Sequence, residues 1–185
     1  MTSSKKPIIN GPTILTIVRI ILTPVVIAGI FVEGLPAKII ALICFILASI
    51  TDHIDGRWAR KDKLVTDFGA FLDPLADKML TNLTFLAFVM LGQMPLWMFM
   101  VILIRDYAVD GLRMIAARKN VTISASIFGK VKTTVQMIVL IMMLLNLIVM
   151  WEPLVIVNNV LLYIVMFLTV YSGLDYLIKG RKLMI

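Results

Sequence analysis

Residues 52–77 read Asp52-His53-Ile54-Asp55-Gly56-Arg57-Trp58-Ala59-Arg60, then eight residues, then Gly69-Ala70-Phe71-Leu72-Asp73-Pro74-Leu75-Ala76-Asp77. Four aspartates fall in two pairs, three and four residues apart. On a helix, both spacings put the two members of a pair on one face. The flanks, Ile39 to Ile50 and Leu80 to Leu91, are apolar. The stretch therefore reads as the ends of two membrane helices joined by a short basic loop. Carboxylates near lipid cost about 2.5–3.5 kcal/mol each at a helix centre, so they are kept where they serve a function.

Four carboxylates held together repel one another and raise each other's pKa values. A divalent cation relieves that repulsion. Hard ions such as Mg2+ or Mn2+ take oxygen ligands and share them with a substrate phosphate. With two pairs, the expectation is two ions clamping a phosphate, held by Asp52, Asp55, Asp73 and Asp77. The bland alternative is two solvated helix ends. One pair alone would suit that alternative; two pairs, interleaved with the small residues Gly56, Ala59 and Gly69, argue against it.

Outward from this stretch, composition sets the class. The chain has 185 residues, 61% hydrophobic, with a mean hydropathy of +1.00. A soluble domain would be nearer half apolar. Apolar runs long enough to cross a bilayer as helices recur along the chain. The expectation is an all-α integral membrane protein, one domain over 1–185, with about six transmembrane helices and a short N-terminal interfacial segment at Pro7 to Gly11. The helices are expected at Thr13–Val32, Lys38–Arg60, Asp67 (capped by itself or Thr66) to Gly92, Leu96–Lys119, Ser124 or Thr122 to Met150, and Leu154–Lys179. Glu33-Gly34-Leu35-Pro36, Gly92-Gln93-Met94-Pro95 and Glu152-Pro153 supply the breaks, and Gly180-Arg181-Lys182 closes the last helix. The first apolar run has no small-residue cleavage site after it and is expected to stay. Cys44, the only cysteine, lies in an apolar run and reads as packing.

The net charge of +7 does not point to nucleic acid, because the cations cluster at helix ends. If the loop at Lys61–Thr66 faces the cytoplasm, that side also receives both termini and the connection near Asn120. It then carries Lys5, Lys6, Arg57, Arg60, Lys61, Lys63, Arg118, Lys119, Lys179, Arg181 and Lys182, against Glu33, Lys38 and Glu152 opposite. This asymmetry predicts a multi-pass plasma-membrane protein with both termini cytoplasmic, anionic lipids around it, and an active site opening at the cytoplasmic side.

A second constellation is basic. Arg105, Arg113, Lys130 and Lys132 lie in or near the cytoplasmic halves of the fourth and fifth helices, with Asp106 and Asp110 on the fourth. Arg105 is about ten residues from the outer end, roughly 15 Å into the membrane. Internal pairing among Asp106, Asp110 and Arg113 is one reading. The other is an anion pocket in which Arg105, Arg113 or Lys130 holds a phosphate, arginine bidentately and lysine as a point charge.

The aspartate stretch resembles the signature of the CDP-alcohol phosphatidyltransferases, D-x-x-D-G-x-x-A-R-x8-G-x-x-x-D-x-x-x-D. Asp52, Asp55, Gly56, Ala59, Arg60, Gly69, Asp73 and Asp77 meet every fixed position. Asn10-x-Pro12-Thr13-x-Leu15-Thr16-x-x-Arg19, Gly129-Lys130-x-Lys132-Thr133-x-x-Gln136 and Ser172-Gly173-x-Asp175-Tyr176 are similar to patterns of the bacterial glycerophosphate-type members. Arg105-Asp106 stands where that subgroup has Arg-Glu. The resemblance implies transfer of the phosphatidyl group of CDP-diacylglycerol to sn-glycerol 3-phosphate with release of CMP, and a homodimer. It implies Asp77 as general base and further metal ligand, and Gly56, Ala59, Arg60 and Gly69 around the CDP-lipid. Arg105, Arg113 and Lys130 would then hold the acceptor's phosphate. Inositol phosphate would satisfy the same cations. A polar-substrate transporter, which also buries acids and bases among helices, is the alternative of another class. His53, the only histidine, reads as an interfacial or packing side chain.

Overall fold

A computed structural model describes residues 11–61, 67–119 and 126–184, with side chains for 14–51, 75–76, 78–116, 118–119 and 126–178. Among the described residues six helices follow one another: α1 (Gly11–Phe31), α2 (Leu35–Lys61), α3 (Asp67–Met90), α4 (Leu96–Arg118), α5 (Ile127–Val149) and α6 (Glu152–Met184). No strand occurs among the described residues. Three of these helices carry stretches long and apolar enough to cross a membrane, Ile14–Phe31, Ile127–Val149 and Glu152–Ile178. Leu35–Thr51 and Lys78–Met90 are shorter apolar stretches. The expected N-terminal interfacial segment, apart from Gly11, lies outside the described residues. The chain forms two compact units, Met1–Ala87 with Leu147–Val149, and Phe88–Asn146 with Met150–Ile185.

In the first unit α1 packs along α2. Thr16, Arg19, Thr23, Val26 and Ile30 are all buried, and their alternating spacing of three and four makes one narrow stripe. Ala41, Phe45 and Ala48 of α2 are buried as well. The approach is closest at Gly29, where an added Cβ would lie 2.7 Å from the Ala37 carbonyl oxygen and 2.8 Å from the Ala41 Cβ. Small residues at such crossings let helix backbones meet, which is how helices associate in lipid. Arg19 does not reach water; its Nε donates to the Ala48 carbonyl at 3.2 Å. The turn between the helices uses Gly34 at φ 106°, and Lys38 Nζ donates to the Ile30 carbonyl in the last turn of α1. Leu35 and Pro36, read from the sequence as turn, instead open α2, since proline is tolerated in a first helical turn.

In the second unit α4 packs on α6. Gly92, at φ 71°, ends α3: its N–H meets the Val89 carbonyl, and Gln93 N–H meets that of Phe88. This is the left-handed close that glycine makes at helix C-termini. Three sequence expectations are corrected here. The cap of α5 is Ser126, whose Oγ accepts from Gly129 N–H, whereas Thr122 and Ser124 lie outside the described residues. The break before α6 is made by Met150, in the left-handed region at φ 51°, so Glu152 and Pro153 begin the helix. There an acid suits the N-terminal dipole. Finally, α6 runs through Gly180 to Met184. A helical glycine costs only about 1 kcal/mol relative to alanine, too little to stop a long helix.

Candidate functional site

Asp52 and Asp55 lie on α2, and Asp73 and Asp77 on α3. Each pair therefore has the helical spacing that shares a face. The side chains of all four, with those of Gly56, Ala59, Arg60 and Gly69, lie outside the described residues. The basic constellation is described, and it belongs to the second unit.

Arg105 is the tenth residue of α4. Its guanidinium donates from Nη1 to Asp106 Oδ1 at 3.0 Å and from Nη2 to Ser172 Oγ on α6 at 2.9 Å. Its Nε is buried and makes no hydrogen bond. Asp106 Oδ1 also accepts from Lys132 Nζ of α5 at 2.6 Å. One carboxylate thus sits between two cations, which leaves this group of three charges positive. Both sides of the Lys132–Asp106 pair are nearly dry, with side chains 2% and 12% exposed. The cost of burying such a pair is recovered only by close geometry and further hydrogen bonds.

Two turns below Arg105 on α4, Arg113 is exposed and donates from Nη2 to the hydroxyl of Tyr176 at 2.5 Å. Tyr176 is fully buried on α6. Its ring lies 5.7 Å from the guanidinium carbon of Arg105 and 5.2 Å from that of Arg113, measured to the ring centre. Both distances are within cation–π range. The same hydroxyl accepts from Ser126 N–H, at the start of α5, at 3.1 Å. Gly129 packs beside both groups: a Cβ on it would make ordinary van der Waals contact with Arg105 Nη2 at 3.5 Å and with the Tyr176 ring at 3.6 Å. A helix N-terminus beside two guanidinium groups is a place for an anion, because the helix dipole adds to the side-chain charge. Arg105 also borders a cavity of about 250 Å³ between α4 and α6, whose walls include Ile104, Val109, Leu112 and Leu174.

Of the residues expected to hold a phosphate, Arg105 and Arg113 are thus gathered on one tyrosine ring. Lys130 is exposed on the first turn of α5, with its backbone N–H bonded to the Ser126 carbonyl. Internal pairing is present, as one reading of the sequence had it, with Asp106 between Arg105 and Lys132, while Arg113 donates to Tyr176. Ser126, Ser172 and Tyr176 join the site only in the structure. The sequence marks Ser172 and Tyr176 by their place in the pattern around Gly173 and does not mark Ser126.

A helical chain with apolar spans, an eight-position acid signature and a buried cationic cluster can be compared with known proteins. The family described as CDP-alcohol phosphatidyltransferase matches residues 9–171, and the chain belongs to that family. It is 36% identical to the CDP-diacylglycerol–glycerol-3-phosphate 3-phosphatidyltransferase of Bacillus subtilis, over 92% of this chain and 95% of that one. It is 37% identical to a probable phosphatidylglycerophosphate synthase of Mycobacterium tuberculosis, over 95% and 83%. A Rickettsia bellii protein with the same name as the Bacillus one is 37% identical over 94% and 96%.

Proposed function

We propose that this protein transfers the phosphatidyl group of CDP-diacylglycerol to sn-glycerol 3-phosphate, giving phosphatidylglycerophosphate and CMP. The observation that carries the choice of acceptor is the cationic cluster. Arg105 and Arg113 flank Tyr176 beside the start of α5, and only part of their charge is met by Asp106. A phosphorylated acceptor fits that surplus; serine or choline does not. The names of the relatives point the same way.

In this reading the acceptor's phosphate docks on Arg105, Arg113 and Lys130, which holds its free hydroxyl in a fixed place and removes the entropy cost of finding it. Asp77 takes the proton from that hydroxyl as its oxygen bonds to the β-phosphorus, and the bond from that phosphorus to the CMP oxygen breaks. Gly56, Ala59 and Gly69 make room for cytidine, and Arg60 adds charge beside it. Asp52, Asp55, Asp73 and Asp77 offer only carboxylate oxygens, the donor type that Mg2+ or Mn2+ takes. When bound there, such ions would neutralise the pyrophosphate and ease the departure of CMP. The chain works as one domain with six spans in the plasma membrane, both termini and the reaction centre at the cytoplasmic side, and pairs as a homodimer.

The deciding experiment supplies the purified protein with CDP-diacylglycerol and offers glycerol 3-phosphate in competition with glycerol, serine and inositol phosphate. The expected result is release of CMP with phosphatidylglycerophosphate as the main product. Preference for another acceptor would overturn the choice of substrate, and no CMP with any acceptor would overturn the enzyme reading.

A further inference from the structure

Tyr176 has more bonds to the cationic cluster than a packing residue needs. Its hydroxyl accepts from Arg113 Nη2 and from Ser126 N–H, and both donors can only donate. The oxygen's acceptor capacity is therefore filled by two groups that would otherwise bind an anion loosely or not at all. Its ring lies within cation–π range of both guanidinium groups. Two like charges on the same helix, two turns apart, would spread into solvent if nothing held them. Arg105 is fixed by Asp106 and Ser172. Arg113 is held by Tyr176.

We propose that Tyr176 is the positioning residue of the anion site: it fixes Arg113 and the first turn of α5 at one oxygen, and spaces Arg113 from Arg105 with its ring. The site is then set for a compact dianion such as a phosphomonoester before any ligand arrives. This rests on the reading of the cluster as the acceptor-phosphate site, yet concerns its affinity for phosphate, not the identity of the alcohol. Tyr176 touches no reacting atom; it acts through Arg113.

The test uses the full chain in detergent and two readouts. Isothermal titration with inorganic phosphate reads the site without turnover, and steady-state kinetics read KM and kcat for each substrate. Tyr176→Phe keeps the ring and removes one oxygen. Its phosphate affinity should fall about tenfold, the usual scale for a lost bond to a charged group. The KM for glycerol 3-phosphate should rise by a similar factor, with kcat and the KM for CDP-diacylglycerol near wild type. In an Arg113→Ala background only the Ser126 bond remains to be lost, so Tyr176→Phe should have a smaller effect than it has alone. Unchanged phosphate affinity in Tyr176→Phe would overturn the inference whatever acceptor the enzyme uses. So would equal losses for both substrates, which would mark a merely structural role. Loss of phosphate affinity in a protein that turns over a different phosphorylated alcohol would uphold the inference while the substrate assignment fell. If Tyr176→Phe does not fold, Arg113→Lys takes its place. It keeps the charge but not the fork, and a phosphate affinity equal to wild type would likewise overturn the proposal.

Discussion

Lys130 and Lys132 are two positions apart, and the helix turns them to different sides. Lys132 is buried against Asp106, while Lys130 is exposed. Asp106→Ala should therefore cost about 3–5 kcal/mol, because it removes the carboxylate from a buried ammonium group. Asp106→Ala combined with Lys132→Met should recover part of that loss, since the buried ammonium group is then gone while Arg105 keeps only its bond to Ser172. Thermal melting in detergent compares the two, and equal losses would show that the pair is not the cause. The aspartate signature carries a second prediction. Protein stripped with EDTA should lose activity and regain it with Mg2+ or Mn2+; full activity in metal-free buffer would remove the ions from the reading. What sequence could say at this scale was uneven. A carboxylate at a fixed spacing has few other uses near lipid, so Asp52, Asp55, Asp73 and Asp77 stood out. Tyr176 stood only in the loose pattern Ser172-Gly173-x-Asp175-Tyr176, which does not distinguish packing from a bond to Arg113. Nor could spacing tell which of Lys130 and Lys132 turns inward, since that depends on the rotation of α5 against α4.

At the scale of elements, glycine makes opposite demands at two helical positions. At Gly29 an added Cβ meets backbone oxygen at 2.7 Å, whereas at Gly111 it meets nothing within 4 Å. Gly29→Ala should force α1 from α2 and lower stability by about 1–3 kcal/mol. Gly111→Ala should raise it by a little under about 1 kcal/mol through helix propensity alone. Melting temperatures that moved the same way in both would contradict this account of the α1–α2 contact. Ser126→Ala should cost about 1 kcal/mol as the cap of α5 is lost, and should also weaken phosphate binding if that helix start is part of the site. The helices themselves were legible in the chain, because Gly34 and Gly92 mark turns that need positive φ. The ends were less so. Met150 closes α5 in the left-handed region, a conformation its side chain gives no reason to expect, and a cap serine cannot be told from its neighbours Thr122 and Ser124 until the helix is seen.

For the molecule as a whole, charge is the guide to orientation. The connections at Glu33 and Glu152 lack the cations found near the termini. With Cys44 replaced by serine, a cysteine placed at Glu33 should react with a membrane-impermeant thiol reagent on intact cells. Cysteines at Lys5 or Lys182 should react only after the membrane is opened. Labelling of Lys5→Cys from outside would reverse the topology. Hydropathy was enough to find α1, α5 and α6 as spans. It was weaker for α4, because Arg105, Asp106, Asp110 and Arg113 lower its apolar content, and three of them, Arg105, Asp106 and Arg113, form part of the cationic site.

The Arg19–Ala48 bond has a consequence for biogenesis. A ribosome delivers α1 to the insertion machinery ahead of α2, while Ala48 is still inside the exit tunnel, so the guanidinium of Arg19 enters the bilayer ahead of this acceptor. A charge in that position costs up to about 2.5–3.5 kcal/mol on insertion scales. The first helix is therefore less stable as a lone segment than it becomes once the second arrives. A nascent chain stalled before α2 emerges should stay crosslinked to the translocation machinery longer than the same chain carrying Arg19→Leu, and release should follow once Ala48 is in the membrane. The order of synthesis becomes, through one side chain, the order of assembly.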